Sequence, residues 1–102
     1  MLLVAILTVR RARLDDFRRF ETAAAQIMAR HGGRIERAVV LDAPPTPGEP
    51  DALRELHLVR FPDDNALAAY RSDPDLAALA ALREAAVIST EIWPATDGPT
   101  YT

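Results

Sequence analysis

Between Glu55 and Arg83 the chain reads ELHLVRFPDDNALAAYRSDPDLAALAALR, a strand that runs into a helix with no residues left over for a loop. Leu56, Leu58 and Val59 supply the apolar density of a strand covered on both faces. Phe61 closes it, and Pro62 has no N–H to give a sheet ladder, so the strand stops there. Asp63 and Asp64 then offer carboxylates to the free amides of a helix N-terminus. The helix is expected to break at Ser72-Asp73-Pro74, where Asp73 caps and Pro74 opens a second helical piece. Leu67, Tyr70, Leu76, Leu79 and Leu82 form its expected buried stripe. The rest of the chain has to be arranged around this unit.

Leu2 to Val9 is apolar on both alternating faces, the pattern of a strand in the middle of a sheet. It is too short to span a bilayer, and no basic region precedes it and no small-residue cleavage site follows. It therefore reads as the buried first strand of a cytoplasmic protein. After a turn at Arg10 to Arg13, Leu14 to His31 is a strongly periodic helix, started by Asp15 or Asp16. Leu14, Phe17, Phe20, Ala24, Ile27 and Met28 lie on one side, and Arg18, Arg19, Thr22, Gln26 and Arg30 on the other. Gly32-Gly33 suits a left-handed helix end. Arg34 to Asp42 is a more polar strand suited to a sheet edge, with Ile35, Val39 and Arg37 on one side. Ala43 to Asp51 holds four of the eight prolines and reads as an exposed, stiff hairpin loop. Val87 to Trp93 is the fourth strand, with Ile88 and Ile92 on one face and Val87, Ser89, Glu91 and Trp93 on the other. Pro94 to Thr102 is a polar tail.

The order strand, helix, strand, strand, helix, strand, over residues 1–102 as one domain, is the split βαβ arrangement of an α+β fold. Two helices lie on one face of a four-stranded antiparallel sheet, with the first and third strands central. Those strands are apolar on both faces, yet the helices cover only one. A second copy of the chain is the economical cover, so a homodimer packed sheet against sheet is expected. A net charge of −3 argues against a nucleic-acid partner, and no segment suggests a membrane one. The twelve basic residues are all arginine, which reads as the bias of a GC-rich coding sequence. Absence of cysteine excludes disulfides, a thiolate nucleophile and cysteine-ligated metal.

Three stretches carry a family likeness. HGGR at His31 to Arg34 is similar to the end of the first helix in the dimeric α+β-barrel (ferredoxin-like) superfamily, within it a small bacterial family of unknown function. VRFP at Val59 to Pro62 is similar to that family's third-strand ending. AAYRSDPDLAALAALR, Ala68 to Arg83, is similar to its aromatic–proline–arginine helix, with Tyr70, Pro74 and Arg83 in the matching places. More distantly the chain resembles antibiotic-biosynthesis monooxygenases. The likeness implies a dimeric barrel and oxygenase, isomerase or similar proton-transfer chemistry, without a cofactor. The chain departs from the family at Arg60, where an acid is common, at Ala38, where a basic residue is common, and at Leu76, where an aromatic is common. Its proline loop at 44 to 50 is also longer.

His57 is the leading candidate for chemistry. It sits mid-strand among apolar residues, sharing a face with Glu55, Val59 and Phe61 and opposite Leu56, Leu58 and Arg60. One reading makes it a hydrogen-bonded structural residue at the dimer interface. The other makes it a general base or donor in a pocket under the helices. Arg60 and Glu91 are candidates to support it, or to pair with each other across an interface. Glu21 lies within the apolar sector of the first helix, either reaching water or facing a cavity with a raised pKa. His31 is read as a helix-end group or a ligand contact, and Tyr70 as a packed anchor or a hydroxyl at a pocket rim. Two histidines without ligand spacing do not make a metal site. The expected ligand is an apolar or aromatic small molecule; the alternative is a non-catalytic dimeric domain, structural or ligand-sensing.

Overall fold

In the computed structural model, which describes residues 1–41 and 47–101, the doubly apolar first strand, β1 (Leu2–Arg10), takes a central place. It pairs antiparallel with β3 (Ala52–Arg60) on one side and β4 (Val87–Ala95) on the other. β2 (Arg34–Leu41) adds to β3, giving the order β2-β3-β1-β4. β1 and β3 are thus the inner strands, as their composition requires. On one face lie α1 (Leu14–Arg30) and a second helical run made of α2 (Asp64–Arg71), α3 (Pro74–Ala77) and α4 (Ala80–Ala86). This is the expected ferredoxin-like α+β arrangement. Residues 42–46, which include the first part of the expected proline loop, lie outside the described residues.

Registers across the sheet sort its side chains. Leu3, Ala5, Leu7 and Val9 pair with Val59, His57, Glu55 and Leu53, and these face the helices. Leu7, Val9, Phe17, Leu53, Ala86 and Val87 close the core at one end. Leu3, Met28, Val59, Phe61 and Leu67 close it at the other. The opposite face carries Leu2, Val4, Ile6, Leu56 and Leu58, all only partly buried, beside Trp93 at 60% exposure.

Helix ends follow local chemistry. Asp63 caps α2 by accepting from the Ala66 amide, and Asp73 caps α3 by accepting from that of Asp75. α1 closes with the Gly32 and Gly33 amides donating back to the Ala29 and Met28 carbonyls, Gly32 at φ 75°.

Several expectations need correction. Neither Asp15 nor Asp16 caps α1, whose N-cap is Arg13; both lie in the first turn, and Asp16 pairs with Arg13 and Arg19. The second helix breaks a further time at Ala78-Leu79, so of its expected stripe only Leu67 is fully buried. β3 starts at Ala52, earlier than the apolar run suggests. β4 continues through Pro94, tolerated because β4 is an edge strand with one partner. Two bulges re-sort the edge strands. One at Ile88 turns Val87 inward to the core, and one at Glu36 puts Ile35 on the helix side but Arg37 and Val39 on the other.

Candidate functional site

The middle of the helix-covered face is where the sheet is shortest of bulk. Ala5 on β1 lies directly across from His57 on β3, flanked on its own strand by the larger Leu3 and Leu7. Its single methyl leaves space above the sheet, and the apolar stripe of α1 that seats Phe17, Phe20, Ala24 and Met28 brings Glu21 over that space. The result is a cavity of about 400 Å³ between sheet and helices. Its walls include Leu3, Leu7, Phe20, Met28, Val59 and Leu67, and its polar side chains are Glu21, His57, Tyr70, Arg71, Arg83 and Thr90. Exposed Arg71, Ala77, Ala80 and Ile92 rim the mouth. Size and apolar character match sites for small organic ligands.

Strand alternation places Glu55 and His57 side by side under the helices, each only 4% exposed. His57 Nε2 lies 2.9 Å from Glu55 Oε1. Arg18 reaches in from the flank of α1 and donates to Glu55 Oε2. A carboxylate held by arginine accepts only, so Nε2 carries the hydrogen and, in the neutral ring, Nδ1 keeps the lone pair. Nδ1 lies 3.9 Å from Glu21 Oε2 and has no hydrogen-bond partner among the described residues. Arg18 also lies over the Phe17 ring, 5.5 Å from its centroid.

These surroundings separate the two acids. Burial raises the Glu21 pKa, with Glu55 adding to the shift and His57, Arg83 and Arg18 opposing it. Burial pushes Glu55 upward as well, but the hydrogen bonds from His57 and Arg18 outweigh it and leave its pKa lowered. The Glu55 anion is thus favoured, whereas burial disfavours ionisation of Glu21. Tyr70 packs at 5.5 Å from Phe61, ring to ring. Burial, with the nearby Glu21 charge, pushes its hydroxyl up to about 12.

Of the sequence candidates, the structure brings His57, Glu21 and Tyr70 together. It does not bring Arg60 or Glu91 to them. Arg60 lies on the opposite face, bonded to Glu36 and Asp97 at 2.6 Å each. Glu91 lies across from Ile6 on that same face and is exposed. Period-two alternation separates both from His57, and they do not pair with each other. The same alternation removes His57 from the outer sheet face, where an interface residue was one expectation. Of the two readings of His31 the helix-end one holds and the ligand contact does not: it is the C-cap residue of α1, and its Nε2 lies 2.8 Å from Asp73, tying that end to the cap of α3 outside the cavity. That contact, with the Asp75 amide, lowers the Asp73 pKa. Sequence reasoning missed Glu55, Arg18, Arg83 and Thr90. Glu55 was signalled by its place two residues before His57.

Among the described residues no group of three or more His, Asp or Glu side chains is placed to hold a metal, and no helix is long and apolar enough to cross a membrane. The profile of a domain of unknown function, DUF1330, matches residues 3–93. The chain belongs to the DUF1330 family. Among curated proteins, none is significantly similar to this DUF1330 chain in sequence. Its fold is similar to that of SnoaB, a cofactor-independent oxygenase from Streptomyces nogalater, at 17% identity and TM-score 0.60, covering 95% of this chain and 93% of that one. An antibiotic biosynthesis monooxygenase is similar at 13% identity and TM-score 0.63, with 97% and 100% covered. An uncharacterized NIPSNAP domain protein from Burkholderia xenovorans is similar at 17% and 0.61, with 98% and 100% covered. At these identities the likeness is one of fold, and it matches the superfamily to which the three sequence stretches point.

Proposed function

We propose that this DUF1330 protein binds an apolar or aromatic metabolite in the cavity beneath its helices and moves a proton on it. The observation that carries this reading is the Arg18–Glu55–His57 chain, which ends on a lone pair beside an acid in an apolar cavity. His57 Nδ1 takes a proton from an activated C–H or O–H of the ligand. The Glu55 carboxylate stabilises the imidazolium that forms, and Glu21, whose ionisation burial disfavours, serves as the acid. The resulting carbanion, or the delocalised oxyanion from an O–H, is either reprotonated at another carbon, an isomerisation, or forms a C–O bond to dioxygen, which is reduced to a peroxide on that carbon. The second route is in keeping with the shared fold of a cofactor-independent oxygenase.

The test starts from the ligand that co-purifies, identified by native mass spectrometry, and measures its turnover. His57→Gln retains a donor for Glu55 but has no nitrogen that accepts a proton. It should lower kcat by about 10²–10⁴-fold with binding retained. Turnover at the wild-type rate would remove His57 from the chemistry.

A second reading, a non-catalytic domain that holds or senses the ligand, has its own support. Both oxygens of Glu55 and the Nε2 of His57 already have partners within the fold, so the network also serves as structure. Recovery of the ligand unchanged under air from wild type and His57→Gln alike would select this reading. We also infer that the working unit is a homodimer. The half-buried Val4, Ile6, Leu56 and Leu58 and the exposed Trp93 make an apolar outer face that a second copy would cover.

A further inference from the structure

Arg83 is the residue that the proton-transfer reading leaves without a role. It stands on α4, half-buried, and lines the cavity. A guanidinium carries five N–H donors. Here its one side-chain hydrogen bond among the described residues goes to Thr90 Oγ1 at 2.7 Å. No carboxylate among the described residues lies within ion-pair distance of it, Glu21 included. Many of the other arginines do have a carboxylate, among them Arg11, Arg13, Arg18, Arg19, Arg30, Arg34 and Arg60. A half-buried cation with open donors, facing an apolar cavity, is a place for an anion.

We propose that the ligand carries a carboxylate, which Arg83 binds with Thr90 holding the guanidinium in position, and that its apolar body lies over Ala5 towards His57. This deepens the cavity reading above and rests on it. Thr90 pairs with Leu7, and Ala5 pairs with both His57 and Ile92. The anion subsite and the proton-accepting nitrogen therefore stand on β4 and β3, two strand spacings apart, roughly 10 Å across the sheet. The acid group and the reacting position then sit at opposite ends of a ligand of one or two rings. Arg71, exposed at the mouth, adds positive charge along the way in.

The test is calorimetric titration of the full chain with 2-naphthoate and, as a neutral match, 2-naphthamide. Wild type should bind the acid tighter by roughly ten-fold or more, the worth of a charge-assisted contact. Arg83→Gln should abolish that preference, while Arg37→Gln, exposed on the outer face of β2, keeps it. Equal affinity of wild type for acid and amide overturns the anion subsite and leaves the cavity reading standing. A preference that survives in Arg83→Gln also overturns it. Absence of binding by either compound overturns the cavity reading and this inference together. The wild-type comparison does not depend on whether the variant folds.

Discussion

A carboxyl group whose ionisation burial disfavours works against folding once the unfolded chain ionises, and Glu21 is in that position. Below the usual carboxylate range it is protonated in both folded and unfolded chains and contributes nothing. As pH rises through that range the unfolded chain ionises first, so Glu21 lowers stability progressively until its raised folded pKa is passed. Glu55 has the opposite sign: its lowered pKa contributes stability above the usual range that is lost as pH falls through the folded value. Glu21→Gln should therefore melt higher than wild type at pH 7–8 and match it near pH 4, measured by thermal unfolding across that span. A lower Tm at pH 7 would contradict the assignment. Glu21 was visible in the sequence as an acid on an apolar stripe, and His57 as an imidazole in an apolar strand. Arg18 was not visible as a partner. A helical wheel gives the direction of Cβ, and a long arginine carries its charge well away from that line. Arg18 starts on the polar flank of α1 and ends on a buried acid.

At the level of elements, the glycine pair after α1 shows what pattern alone does and does not reveal. Gly32 was legible as a left-handed helix end, and its φ of 75° agrees. Gly33 is needed for a different reason. A Cβ there would stand 2.5 Å from Phe61 Cε1 and 2.6 Å from Met28 Cγ, two buried core groups. Gly33→Ala should thus cost about 1–3 kcal/mol by overpacking, read from urea unfolding. A change within a few tenths of a kcal/mol would mean that Phe61 moves aside freely. The break at Ser72–Pro74 was legible because aspartate and proline signal it. The later break at Ala78-Leu79 was not, since alanine and leucine carry no stop signal. The bulges at Glu36 and Ile88 were hidden too, because neither residue type marks one, and each reassigns the side chains around it.

At the level of the whole molecule, two inner strands apolar on both faces were enough to anticipate strand order and helix placement. The same pattern was not enough to place the site. Choosing between the two sheet faces for His57, Arg60 and Glu91 depended on registers that only the assembled sheet supplies. The outer face leads to an expectation about assembly. Sedimentation velocity should give twice the 11.2 kDa chain mass, and Leu58→Glu should return the monomer with its far-UV spectrum intact. A monomer of the unaltered chain at working concentrations would leave the apolar face unexplained. The cavity itself is tested most directly by methyl NMR during titration with 2-naphthamide. Occupation beneath the helices predicts saturable shifts at Leu3, Leu7, Met28 and Leu67, with Val4, Leu56 and Leu58 on the outer face unmoved. Shifts confined to the outer face, or no saturable shift at any cavity methyl, would contradict it.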